Sequence, residues 1–335
     1  MSALALDIGN YSIKAVSARP GKKPVVERAL EMLNPLGVTI PNDDVQSEKL
    51  SQFLTTFFTD NNLPKNDVRL SLPESVVSTK VIEIPPLNDA ELASAIGWQA
   101  EQHIPIPLEE LSLEYEVLYR PGRKEKNLPM RVLMIGVRKE IINKYLNVFL
   151  DMGVEPKILE TQAVSILRAL QFTPDDLSTL VVNLGASTMS MFIVAAGEMK
   201  FVFSTLSGGS LLTKSLAQSI NLEEAQAEQY KRTYGLNEAQ FQGKVREALL
   251  PSTDTLIAEM MKAIQFYAHN QAQDQIKRVL LAGGSASLPG LVEYVTQKLG
   301  VEVLVSAPFA TSTGEIPTEN QPSFSVCMGL IMREA

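Results

Sequence analysis

The sequence predicts an α/β protein of two halves that echo one another, with a small α+β unit inserted in the first. Three observations carry this. Strand-like and helix-like patterns alternate along all 335 residues, which calls for helices layered on mixed sheets. The segment LALDIGNYSIKAV at 4–16 returns as LVVNLGASTMSMFIV at 180–194, each reading strand, acid or amide, glycine, hydroxyl-rich turn, strand. Between 73 and 151 the pattern changes to a compact β-α-β-β-α run. A chain this long is about twice a typical ~150-residue domain, so two or three cores are expected.

The elements follow in order. Residues 4–8, 13–18 and 25–33 read as strands, the first two joined by a turn through GNYS. After a polar loop at 37–44, Leu50, Phe53, Leu54, Phe57 and Phe58 recur at helical spacing, and 68–72 is a strand. In the inserted unit SVVSTKVIEI is strand-like, and Asn88 with Glu91 forms a capping box for a helix. That helix presents Leu92, Ala95, Ile96 and Gln99 and ends at Pro105. LSLEYEVLY and MRVLMIGV are strands around the hairpin loop RPGRKEKNLP at 120–129, and 138–152 is a helix closed by Gly153. In the second half VVNLG, SMFIV and FVFSTL are strands, a long Ala/Glu/Gln-rich stretch is helical, and VLLAGGSAS and VEVLV are late strands. The expected boundaries are 1–72 for the first part of half one, 73–151 for the insertion and 152–178 for the return. The second half takes 179–335, with a helical layer at about 210–275.

Composition excludes several functions. Thirty Lys+Arg against 38 Asp+Glu leave a net charge of −8, so no basic field recruits nucleic acid. One cysteine, Cys327, rules out an internal disulfide, and two histidines without HExxH spacing rule out that class of zinc enzyme. Cys327 sits in an apolar helical stretch and reads as inert. No stretch approaches 18 uninterrupted apolar residues, and MSALALDIGN lacks a basic leader, so a cytosolic protein is expected. Trp98 reads as a core or subdomain-interface anchor and His103 as a surface residue at a helix end.

The two echoing turns are where chemistry is expected. A strand ending in Asp-x-Gly and turning through hydroxyl residues converges backbone N–H groups on an anion, and its carboxylate can hold a hydrated Mg²⁺. Asp7, Gly9, Asn10, Tyr11 and Ser12 supply this once. Asn183, Gly185, Ala186, Ser187 and Thr188 supply a second, uncharged copy. Either alone is also an ordinary hairpin turn; the pair is the signal. Gly283, Gly284 and Ser285, after a buried strand, suit an adenosine packed on bare backbone.

These turns, in this order, resemble the actin-like ATPase superfamily. Within it the chain is most similar to the PilM family of type IV pilus assembly proteins, itself related to FtsA. The telling segment is residues 71–118 with its helix WQAEQHIPIPLEE, joined by LAQSINLEEAQAEQYKRTYGL at 216–236 and the terminal SFSVCMGLIMREA. The resemblance implies the actin-like ATPase fold, two pseudo-symmetric α/β halves around a nucleotide cleft with an inserted subdomain. It implies ATP and Mg²⁺ as cofactors, with the phosphates between the two turns, Asp7 toward the metal and Lys14 nearby. Glu228 and Lys231 match a ribose- and adenine-facing pair, and Gly208 and Gly209 a nucleotide-side pair. The implied partner is the cytoplasmic N-terminal tail of PilN, bound in a groove between the first actin-like subdomain and the inserted one, with self-association and other pilus assembly proteins as further partners. The protein would then sit at the inner membrane through partners rather than by insertion. The family has an acid where Asn183 stands and another near Ser190. An amide brings no charge to the metal and takes no proton, so slow or absent hydrolysis is expected, with Glu160 as the surviving catalytic carboxylate.

Two other readings compete. GGSLLTKS at 208–215 approximates a P-loop, but Thr213 stands where the second glycine must let the backbone approach a phosphate. A nucleotide-free scaffold on a degenerate actin-like fold is the stronger rival, because Asn183 weakens the second turn.

Overall fold

The computed structural model describes residues 2–122, 128–270 and 274–334, so the centre of the expected hairpin loop at 120–129 lies outside the described residues. In chain order the elements of the first half are β1 (Ala3–Ile8), β2 (Ser12–Arg19), β3 (Val25–Leu33), α1 (Asp44–Asp60) and β4 (Val68–Leu72). Next come β5 (Val77–Ile84), α2 (Asp89–His103), β6 (Leu111–Tyr119), β7 (Met130–Arg138), α3 (Lys139–Leu150), β8 (Ile158–Thr161) and α4 (Gln162–Leu170). The second half opens with β9 (Thr179–Leu184), β10 (Met189–Ala195), β11 (Glu198–Thr205), α5 (Gly209–Ile220), α6 (Glu224–Tyr234) and α7 (Lys244–Asn270). It closes with β12 (Arg278–Ala282), α8 (Leu291–Leu299), β13 (Glu302–Val305), β14 (Thr313–Gly314) and α9 (Ser325–Met332).

The echo in the sequence is an echo in topology. One sheet runs β14-β3-β2-β1-β4-β8 and the other β11-β10-β9-β12-β13. In each, an antiparallel meander of three strands is continued by two parallel strands, so β1 corresponds to β9 and β2 to β10. Asp7 lies opposite Lys14 in the first meander, and Asn183 lies opposite Ser190 at the matching place in the second. Both central strands are fully buried, as the unbroken apolar runs in their sequences require.

Four cores follow from this layering. The second sheet packs on α5, α7 and α8, with Val182 and Leu184 of β9 joining Leu216, Leu256 and Val295 in one cluster. The first sheet packs on α1 and α3 through Leu6, Phe57, Tyr145 and Phe149. Helix α3, grouped with the 73–151 unit by sequence, therefore buries its apolar face in the core of the first half. A third core draws on both halves: Val16, Phe192, Ile166, Leu330 and Ile331 meet where α4 packs on α9. Helix α9 and the two-residue β14, which pairs with β3, thus return the end of the chain to the first half. The buried Arg69 holds this return in place, donating to the carbonyls of Leu330 at 2.9 Å and Arg333 at 2.7 Å, where the helix leaves its last C=O groups unpaired.

The inserted unit is a small sheet of order β5-β7-β6 with α2 on one face, closed by Ile82, Leu92, Ile96, Met130 and Met134. The Asn88–Glu91 capping box forms as its sequence requires. Trp98 does not anchor a core: at 60% exposure it stands on the solvent side of α2, because the helix buries Leu92, Ile96 and Ala100 instead.

Candidate functional site: a cleft between two matched turns

The two hairpin turns close with the same bond. Gly9 N–H donates to Ser12 O at 3.0 Å, and Gly185 N–H donates to Thr188 O at 3.0 Å. Each turn is braced by the chain that follows the third strand of its meander. On the first side Asn34 Nδ2 donates to Gly9 O at 2.8 Å and to Val38 O at 2.7 Å. On the second, the N–H groups of Gly209 and Ser210 donate to Gly185 O and Ala186 O, both at 2.8 Å. The turns line opposite walls of one cleft of about 810 Å³, counting the solvent at its mouth.

The structure brings most of the expected residues to that cleft: Asp7, Gly9, Asn10, Tyr11, Ser12 and Lys14 from the first half, then Asn183, Gly185, Ala186, Ser187 and Thr188 from the second. Glu228 and Lys231 reach it from α6, and Gly283, Gly284 and Ser285 from the turn after β12. A second cavity continues the cleft past Glu228, Lys231, Arg232, Gly284 and Ser285 to Leu212, Leu288 and Asn320. Gly283 holds a φ of +86°, and a Cβ there would stand 2.6 Å from Asn183 Oδ1, so only glycine lets the turn after β12 sit against the second hairpin turn.

Asp7 is 5% exposed. Its Oδ1 accepts from Ser71 Oγ at 2.6 Å and from Gln162 Nε2 at 2.8 Å, while Oδ2 takes no hydrogen bond among the described residues. A carboxylate fixed through one oxygen, with the other open toward a cleft, fits a metal-bound water better than direct capture of a bare ion. Among the described residues no group of three His, Cys, Asp or Glu could hold a metal by itself, so phosphate oxygens and water would have to complete the shell. The donor set therefore suits Mg²⁺ delivered with a nucleotide.

On α6, Lys231 Nζ donates to Glu228 Oε2 at 2.6 Å, to Thr213 Oγ1 at 2.9 Å and to Gly209 O at 3.1 Å. Burial holds the Lys231 ammonium below its ordinary pKa despite the carboxylate beside it. For Glu228 burial works upward, but the Lys231 charge and the bonds from Lys231, Thr213 and Arg232 outweigh it and keep the carboxyl below its usual range. Arg232 Nε donates to the other oxygen of Glu228 at 2.7 Å, and its guanidinium lies over the Tyr11 ring at 4.8 Å. That stack joins the two walls.

Two expectations change. Glu160 is not at the cleft: Arg168 grips both its oxygens at 2.6 and 2.7 Å, and Arg333 and Ser165 add bonds at 2.9 and 2.8 Å. It ties α4 to the end of α9, and a carboxylate saturated by two arginines has no capacity left as a base. Gly208 and Gly209 are not in the cleft wall either. A Cβ on Gly208 would stand 2.6 Å from both Gly185 O and Ala186 O, so the pair lets α5 begin directly beneath the second turn. The same packing disposes of the P-loop reading, since the backbone of that loop braces a turn and Lys214 is exposed. Cys327 is fully buried, and burial pushes its thiol well up, with Asp7 adding to the effect, so it is inert as expected.

Sequence reasoning missed Arg232, Glu31 and Ser323, which line the cleft as well. Glu31 accepts from Ser12 Oγ at 2.7 Å and from Asn320 Nδ2 at 2.8 Å, a second tie between the halves. Arg232 was legible in principle, four residues beyond Glu228 on the same helix face. Glu31 was not, because two of its partners, Asn320 and Ser323, lie 289 and 292 residues away.

This topology is that of the actin-like ATPases, and the protein has their fold. Its backbone superposes on EutJ from Carboxydothermus hydrogenoformans with a TM-score of 0.59 at 17% identity, covering 99% of this chain and 89% of the other. MreB5 of Spiroplasma citri bound to ADP gives 0.56 at 13% identity, covering 98% and 94%. The structure described as a PilM-PilN type IV pilus biogenesis complex gives 0.84 at 24% identity, covering 99% and 98%. The profile of the type IV pilus assembly protein PilM matches residues 5–335, and the chain belongs to that family. More distant likeness reaches the cell division protein FtsA of Streptococcus pneumoniae serotype 2 strain D39, 22% identical over 205 residues. FtsA of Enterococcus hirae is 26% identical over 152 residues. The chain matches less than half of the length of each FtsA relative, 45% and 34%.

Proposed function

We propose that the chain binds ATP with Mg²⁺ between the two turns and binds the cytoplasmic N-terminal tail of PilN in a groove beside the inserted subdomain. The observation that carries the first part is the matched pair of turns, each with the same closing bond, facing one cleft whose far end is bare backbone at Gly283 and Gly284. In that arrangement the phosphates take the turn N–H groups and Lys14, and Asp7 takes the metal through water. Glu228 and Lys231 face the ribose, and Arg232 offers its guanidinium plane to the base once it leaves Tyr11. Bound Mg²⁺ supplies charge neutralisation at the phosphates; the rest is positioning.

Hydrolysis is slow or absent on this reading. The carboxylates that line the cleft are Asp7, Glu31 and Glu228, and each is already hydrogen-bonded to protein. Gln162 stands where it can orient a water through its amide oxygen, but an amide takes no proton at neutral pH. Titration of the protein with Mg·ATP tests the site, and heat absent at millimolar nucleotide would favour the nucleotide-free scaffold.

For the partner, the groove of about 1170 Å³, again with its solvent, lies between the inserted unit and the second half rather than the first: it is bounded by β5, the last turn of α2 with the residues after it to Pro105, Glu74, and β11. Strands β5 and β11 are the outer strands of their sheets. Such an edge accepts an extended peptide, with backbone bonds giving affinity and Val202 and Phe203 receiving alternate side chains. The neighbour described as a PilM-PilN complex supports PilN as the occupant. A synthetic tail should bind with a roughly micromolar Kd, about −8 kcal/mol. No helix among the described residues is long and apolar enough to cross a membrane, and on this reading the tail is the means by which the protein is held at the inner membrane. Self-association and contacts with other pilus assembly proteins belong to the same reading.

A further inference from the structure

The cleft and the groove share a wall one residue thick. Pro73 and Ser75 line the cleft, while Glu74 between them lines the groove. The short 3-10 turn at Glu74–Val76 produces this alternation, with Val76 N–H bonded to Pro73 O at 3.1 Å. Glu74 itself is 4% exposed, a costly place for a carboxyl unless its oxygens are used. They are. Oε1 accepts from Ala163 N–H at 2.9 Å, in the first turn of α4, and Oε2 accepts from Thr79 Oγ1 at 3.2 Å, on the groove strand β5.

The other ends of these connections meet at the metal carboxylate. Gln162, next to Ala163, and Ser71, two residues before Pro73, are the two groups that hold Asp7 Oδ1. So the segments 71–75 and 161–163 fix Asp7, and Glu74 is the side chain that joins those segments to each other and to β5.

We propose that Glu74 is a positioning residue that couples the two sites. A peptide strand seated along Val77–Lys80 fixes Thr79 and Glu74, and with them Pro73, Ser75, Gln162 and the orientation of Asp7. Mg·ATP then meets a wall that is already ordered, so each ligand tightens the binding of the other. This rests on the reading of the two sites given above, and deepens it by assigning how they communicate.

The test is a pair of calorimetric titrations: Mg·ATP with and without saturating synthetic PilN tail, and the tail with and without saturating Mg·ATP. The expected result is a tightening of about fivefold or more, equal in both directions because the coupling is a single free energy. In Glu74→Ala the factor should fall to about one, whatever happens to either affinity alone. In Glu74→Gln it should persist, because the amide oxygen still accepts from Ala163 N–H. Thr79→Val, which leaves Glu74 bonded to α4 but frees it from β5, should also lose the coupling, and it decides the matter if Glu74→Ala does not fold. Failure of either ligand to bind the wild-type protein would contradict the assigned sites themselves, and the coupling with them. Both ligands binding with no mutual effect, mutual weakening, or a factor unchanged in Glu74→Ala or Thr79→Val would overturn the coupling alone.

Discussion

The two turns are built to one backbone plan and carry different chemistry. Each begins at the end of a buried central strand, closes with a 3.0 Å bond from its glycine N–H, and is braced from behind. Yet the paired positions opposite each other are Asp7 and Lys14 in one and Asn183 and Ser190 in the other. The shared backbone plan therefore comes without shared charges. Ser190 makes the same point: its buried hydroxyl has no hydrogen-bond partner among the described residues, which marks a place where a hydrogen-bonding side chain would find a use. On the function proposed above, the first turn would hold the metal side of the site and the second would hold phosphate by backbone alone.

Restoring symmetry should have the greatest consequence. Asn183→Asp returns a carboxylate to the second turn, and groups that orient or deprotonate water contribute ~10²–10⁴-fold. Phosphate release should rise by at least ~10²-fold over a slow wild-type baseline, with nucleotide affinity changing far less. A wild-type rate already in the ordinary enzyme range, measured by phosphate release, would end the argument that the second turn is passive.

Bracing offers the next contrast between the turns. Gly208→Ala drives a Cβ to within 2.6 Å of two carbonyl oxygens of the second turn, and overpacking of this kind costs ~1–3 kcal/mol. Asn34→Ala strips two carbonyls of their Nδ2 donor beneath the first turn, a loss of ~1–3 kcal/mol where the groups stay buried. Both variants should therefore lower the urea midpoint by similar amounts. If only one does, the two braces are not equivalent.

Changes of pH should act more weakly. Burial pushes the Glu74 carboxyl up, with bonds from Ala163, Thr161 and Thr79 pulling partly back. Between its unfolded value and this raised one the native state binds the extra proton, so stability falls as pH rises. Glu228 has the opposite sign: its lowered value adds stability above the unfolded pKa that is lost as pH falls through the folded one. Urea midpoints over the acid range should show Glu74→Gln removing a decline toward neutral pH, and Glu228→Gln removing a loss toward acid.

Much of this was legible in the sequence, and the boundary has a physical cause. Glycines and small hydroxyls at a strand end declare a tight turn, and the two turns read from the sequence do form and do line one cleft. The Asn88–Glu91 cap was likewise local and formed as read. What escaped was whatever depends on partners far away in sequence. Glu160 was assigned by the resemblance, but Arg168 grips both its oxygens and Arg333, 173 residues on, adds a further bond. Gly208 reads as a nucleotide residue because a glycine that braces a turn and a glycine that touches a phosphate look alike in sequence. Trp98 reads as a core or subdomain-interface anchor, and the face read as Leu92, Ala95, Ile96 and Gln99 is in the structure centred on Leu92, Ile96 and Ala100, which leaves Trp98 toward solvent.

Whether the metal is held from the first turn only can be decided by titrating ATP into wild type and Asp7→Ala, each with Mg²⁺ and with EDTA. The account predicts that Asp7→Ala weakens Mg·ATP binding by about tenfold or more, about 1.4 kcal/mol, and leaves metal-free ATP binding nearly unchanged. Equal losses with and without Mg²⁺ would show that Asp7 serves the fold rather than the metal, and would contradict it.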